Sequence, residues 1–68
     1  MNARLLRSKM VLFGDTQGDL AEALDISQQR LSAKMNETNG AEFNQREIRI
    51  IRERYNLTAE ELSLIFFV

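Results

Sequence analysis

The sequence predicts an all-α fold of five short helices, and three observations carry that prediction. Apolar residues recur at three- and four-residue spacing along most of the chain, the period of a helix with one buried face. Capping residues punctuate it at Thr16, Ser27, Asn44 and Thr58, each just ahead of such a stretch. Proline is absent, and only the closing "LSLIFFV" runs apolar or alternates enough to suggest a strand. There is no internal repeat and no long polar linker, so residues 1–68 read as a single domain.

In the first segment, 3–13, "ARLLRSKMVLF", Leu6, Met10 and Phe13 fall on one face while Arg4, Arg7 and Lys9 lie elsewhere; Gly14 is a natural stop. Thr16 then caps "QGDLAEAL". Asp19, three residues on, sits close to a capping-box position and favours the positive end of the helix dipole. Leu20, Ala21 and Leu24 form the apolar face of this second segment. Ser27 caps the third, with Ile26 and Leu31 as a hydrophobic staple. Only about three or four residues separate the second and third segments, so they are expected to cross steeply rather than run antiparallel.

"ETNGAEF" follows as a loop, with Asn39-Gly40 as its turn signal. Asn44 caps "QREIRIIRERY", Phe43 and Ile48 form its staple, and Glu47 supplies the carboxylate that completes the cap. Ile48, Ile51 and Tyr55 are its expected buried face. The last segment opens on a full capping box, Thr58 with Glu61, and a staple, Leu57 with Leu62; Leu62, Ile65 and Phe66 are expected to point inward.

A core of this size supplies only about 3–5 kcal/mol of net stability, which makes oligomerisation a natural supplement. With no cysteine and no histidine, disulfides, thiolate metal sites and imidazole chemistry are excluded. No catalytic triad, phosphate loop or metal-ligand spacing is present. Glu60 and Glu61 are adjacent, so on a helix they point about 100° apart, and capping explains them better than acid–base work. The expectation is a protein that is not an enzyme, with no cofactor, metal or small-molecule ligand. Arg4 and Arg7 are followed by Ser8 and Lys9 rather than by an apolar signal region, and "LIFFV" falls far short of the roughly 20 residues that span a bilayer. The expected setting is therefore cytoplasmic, with no membrane partner.

The net charge is −1, but its distribution is uneven. Asp15, Asp19, Glu22 and Asp25 precede Ser27, whereas from Ser27 to Asn36 the only charges are Arg30 and Lys34. At about 100° per residue, Leu31 and Met35 of this segment share the inner face and Gln29, Ala33 and Asn36 the outer one. Arg30 and Ser32 flank that outer face, and Gln28 projects from the N-terminal tip. Such a face suits the DNA major groove: glutamine pairs with adenine N6 and N7, alanine touches a thymine methyl, and arginine reaches guanine or phosphate. An isolated "QQR" reads as solvated surface; the capped pair of segments around it tips the reading toward DNA.

Residues 16–35, "TQGDLAEALDISQQRLSAKM", resemble the helix-turn-helix of lambdoid-phage repressor and Cro proteins and their bacterial relatives. The resemblance rests on Thr16-Gln17, Leu20-Ala21, Leu24, Ile26-Ser27 and Leu31. It implies a lambda-repressor-like helix-turn-helix at 16–36 and a bacterial cytoplasmic, phage- or prophage-encoded regulator of transcription. It further implies that Gln28, Gln29, Arg30 and Ala33 read bases, while Gln17 and the loop after the recognition helix hold phosphates. Ser32, Lys34, Asn36, Thr38, Asn39 and Arg46 complete the expected phosphate set. Arg46 is taken from a helix whose other arginines, Arg49, Arg52 and Arg54, interleave with Glu47 and Glu53 as a solvated face. Three positions depart from the family pattern: Asp25 replaces the usual turn glycine, Ala33 stands where a larger polar residue is common, and Lys34 takes a position more often apolar. Lys34 is expected to snorkel outward toward a phosphate.

The C-terminal stretch is too apolar to hide within one small domain. Leu64, Phe67 and Val68 are expected to form a homodimer contact, which would set two recognition helices about 34 Å apart on a palindromic operator. The alternative is a protein-interaction module, such as an antirepressor that grips another regulator.

Overall fold

Each helix begins where a side chain can take up a free backbone N–H. A computed structural model describes residues 1–67 and places helices at Ala3–Leu12 (α1), Gln17–Leu24 (α2), Gln28–Asn36 (α3), Gln45–Arg54 (α4) and Ala59–Phe66 (α5). A 3₁₀ turn, Thr38–Gly40, follows α3, and there is no strand among the described residues. The capping side chains are Asn2, Thr16, Ser27, Asn44 and Thr58, each accepting a bond from the N–H three residues on. At Thr16, Asn44 and Thr58 the box is complete, because Asp19, Glu47 and Glu61 bond back to the cap N–H. The ends are equally local. Gly14 (φ 73°), Asp25 (φ 58°), Glu37 (φ 53°) and Asn56 (φ 49°) turn left-handed just past α1, α2, α3 and α4.

The core is built from Leu6 and Met10 of α1, Leu20, Ala21 and Leu24 of α2, Leu31 and Met35 of α3, Ile51 and Tyr55 around α4, and Leu57 and Ile65 around α5. Each fully buried leucine or isoleucine contributes about 1.5–3 kcal/mol. Helix α1 runs antiparallel to α5: Asn2 N–H donates to Ile65 O at 2.7 Å, and Lys9 pairs with Glu61 near the other end. No helix among the described residues is long and apolar enough to cross a membrane.

The apolar stripes differ from the sequence expectation at four residues. Phe13 is 49% exposed, because α1 ends at Leu12 and the cap residue leaves the helical stripe; its ring meets Tyr55 edge-on at 5.4 Å. Ile48, Leu62 and Phe66 are half-buried rather than core, and Phe66 packs edge-on against Phe43 at 5.7 Å. Val11 and Leu12 stand exposed beside Phe13, and Leu64 and Phe67 are exposed at the C-terminal end. Val68, which the sequence assigned to the same patch, lies outside the described residues.

Candidate nucleic-acid interface

The geometry of the interface starts at Asp25. With φ 58° and ψ 44° it turns α2 back on itself, and the N–H groups of Asp25 and Ile26 close on Glu22 O and Ala21 O at 3.1 and 3.0 Å. An aspartate tolerates this conformation better than most residues, so the turn forms without a glycine. Three residues later α3 starts. The N-terminal turns of α2 and α3 lie side by side: the Gln28 amide rests over Gly18, where an added Cβ would stand 3.1 Å from Gln28 Nε2. Gln17 and Gln28 are each the first residue of their helix. Two helix N-termini therefore present their partial positive charge on one side of the molecule.

Leu31 and Met35 are buried, which fixes the rotation of α3. Gln28, Gln29, Arg30 and Asn36 are exposed, Ser32 and Ala33 are half-buried, and Gln17 on α2 is half-buried. Along the outer side of α3, Asn36 Nδ2 donates to Ser32 Oγ at 3.4 Å. Thr38 and Asn39 are exposed on the following turn, where Asn39 is left-handed.

Lys34 is where the structure overturns the reading. Its side chain does not snorkel toward solvent; the residue is 7% exposed, and its Nζ lies 2.6 and 2.7 Å from the two carboxylate oxygens of Glu47, itself 1% exposed. Position 34 faces α4, and the ammonium takes the buried partner within reach. Lys34 is thus withdrawn from the phosphate set. Glu47 also accepts from Asn44 N–H at 3.0 Å, so one carboxylate both caps α4 and ties it to α3. Arg46 is exposed, but its Nη1 donates to Leu24 O at 3.4 Å, placing a cation on the C-terminal carbonyls of α2.

A second tie braces α2 from the other side. Arg54 grips Asp15 through Nε and Nη2 at 2.6 and 2.9 Å, and Tyr55 OH donates to Asp15 Oδ2 at 2.7 Å. The Arg54 hydrogen bond holds the Asp15 carboxyl below its ordinary range, while burial and the neighbouring carboxylate push the Tyr55 phenol upward. Asp15 immediately precedes the Thr16 cap, so this cluster anchors the start of α2 to the end of α4.

One more cation, which no sequence pattern marks, lies beside α3. Arg7 on α1 donates through Nη2 to Asn36 Oδ1 at 3.4 Å, bringing a further cation to the end of α3. Nothing local to "RLLRSK" signals this, because the contact joins residues 29 positions apart.

The arrangement offers amide donors and acceptors, two small side chains and the Arg30 guanidinium along one face of α3, with Arg7 of α1 beside its C-terminal end. No group of three or more carboxylate, histidine or cysteine side chains able to hold a metal occurs among the described residues. Comparison of the chain with family models, curated proteins and solved structures finds no match in any of the three.

Proposed function

We propose that the chain is a sequence-specific double-stranded DNA-binding regulator of transcription, of repressor or Cro type, with a lambda-repressor-like helix-turn-helix at 16–36. The observation that carries this is the outward face of α3, with Gln28, Gln29 and Arg30 exposed at its start beside the N-terminus of α2. In this reading α3 lies in the major groove and Gln28, Gln29, Arg30 and Ala33 meet base edges. Gln17, Ser32, Asn36, Thr38 and Asn39 hold the backbone, and Arg46 keeps donors free for it beyond the one bonded to Leu24. Occupying promoter DNA then blocks polymerase.

The exposed Leu64 and Phe67 support association of two copies. Phe67 borders two hollows of mixed lining, one with Phe43, Ile48 and Glu42 and another with Leu62, Ile48 and Arg49, which support a contact at this end of the molecule. A dimer sets two α3 helices on successive turns of one duplex face.

The test is selection from random duplexes, followed by sedimentation of the complex. A palindromic site bound by two chains is expected. Gln29→Ala should cost about 1–3 kcal/mol on that site and relax one base position. If Gln29→Ala binds selected and scrambled duplexes just as the parent does, α3 does not read bases.

A second reading, a module that binds another regulator, is favoured by the exposed Val11, Leu12 and Phe13 at the end of α1. Salt separates the two. A DNA binder loses affinity steeply as ionic strength rises, whereas a protein-only module shows no appreciable retention on duplex at any salt.

A further inference from the structure

Among the cations of this molecule, several have carboxylate partners. Lys34 is bound by Glu47, Arg54 by Asp15 and Lys9 by Glu61. Arg7 differs. It is exposed, and its bond to Asn36 goes to a neutral amide oxygen, which leaves its charge uncompensated. Asn36 in turn donates to Ser32, so Arg7, Asn36 and Ser32 form a chain along the C-terminal half of the outward side of α3. Arg4 is exposed three positions earlier, about 60° round the same helix, and so shares this flank of α1. The acid beside the end of α3, Glu37, is bonded by the Met1 amino group at 2.5 Å.

We propose that Arg7, supported by Arg4, binds a backbone phosphate of the same duplex whose major groove takes α3. This rests on the DNA-binding reading above and adds a contact on α1, a helix to which that reading gives no part. A guanidinium presents parallel N–H donors that match a phosphate, and the bond to Asn36 places this one beside the C-terminal end of α3. The contact is blind to sequence. It fixes register instead: the N-terminal turns of α2 and α3 meet the backbone at one end of the recognition helix, and Arg7 meets it at the other. With both ends held, α3 cannot slide along the groove.

The experiment compares the parent, Arg7→Ala, Arg7→Lys and Asn56→Asp on a selected and a scrambled duplex across a salt series. Asn56→Asp lowers the net charge by the same one unit in the α4–α5 connection, on neither α1 nor α3, at a left-handed residue that aspartate tolerates. Arg7→Ala should weaken binding to both duplexes by the same factor, roughly three- to tenfold, and reduce the slope of log affinity against log salt by about 0.9. Arg7→Lys should keep most of the slope, Asn56→Asp should keep all of it, and the melting temperatures should match. If the parent binds duplex and Arg7→Ala keeps its affinity and slope, the phosphate contact is refuted while the DNA-binding reading stands. If Arg7→Ala and Asn56→Asp lose affinity equally, the effect is one of overall charge and the contact is again refuted. A parent that binds no duplex at any salt overturns both.

Discussion

Lys34 and Glu47 are 13 positions apart and bury opposite charges against each other between α3 and α4. Removing one member of such a pair strands the other charge without water, at a cost of about 3–5 kcal/mol. That equals the whole net stability a single small core supplies, about 3–5 kcal/mol. Lys34→Met should therefore leave the chain largely unfolded by circular dichroism at room temperature. Adding Glu47→Gln removes the stranded charge while keeping a side chain that completes the Asn44 cap, so the double variant should refold. A double variant as unfolded as the single would show that the charge is not what the fold depends on. The pair was not legible in the sequence, because no local pattern joins a lysine in one helix to a glutamate in another. What was legible was the departure itself, a lysine at a position expected to be apolar. Arg7 carries no local signal for the same reason: its partner Asn36 is supplied by tertiary packing.

At the scale of elements the sequence was far more informative, because caps and stops act within four residues. Thr16, Ser27, Asn44 and Thr58 all cap as their spacing predicts. Asn2 caps α1 as well, but Leu5 stands where a carboxylate would mark that cap in the sequence. Helical spacing puts Phe13, Ile48, Leu62 and Phe66 on buried faces, but spacing fixes a direction and not a depth. Each lies at a helix end or at the rim where α4 and α5 meet solvent. Among the caps, Ser27 matters most to the proposed interface, because its hydroxyl holds the N–H of Arg30 in the first turn of α3. Ser27→Ala should cost about 1 kcal/mol and speed amide exchange at Arg30 while leaving α5 unchanged. Equal exchange in both proteins would mean that the Gln28 amide resting over Gly18, not the cap, holds that turn.

For the whole molecule, the ties that join distant segments also set its response to acid. Arg54 holds Asp15 below its ordinary titration range, and Lys9 does the same for Glu61. A carboxylate whose folded value is depressed contributes stability above its unfolded value, near 4, and loses it as pH falls through the folded one. Melting temperature should thus decline below about pH 4, and Asp15→Asn should flatten that decline while lowering stability at neutral pH; an unchanged acid limb would contradict the role given to the cluster. The tie also carries the proposed function, since Asp15 fixes the start of α2 and α2 fixes α3. Titration of isotopically labelled protein with its selected duplex, followed by NMR, tests that function most directly. The amides and side-chain NH₂ groups of Gln17, Gln28 and Gln29, together with the amides from Arg30 to Asn36, should shift most. A titration that leaves α3 unmoved, whether nothing shifts or only residues of other segments do, would contradict a groove-reading helix.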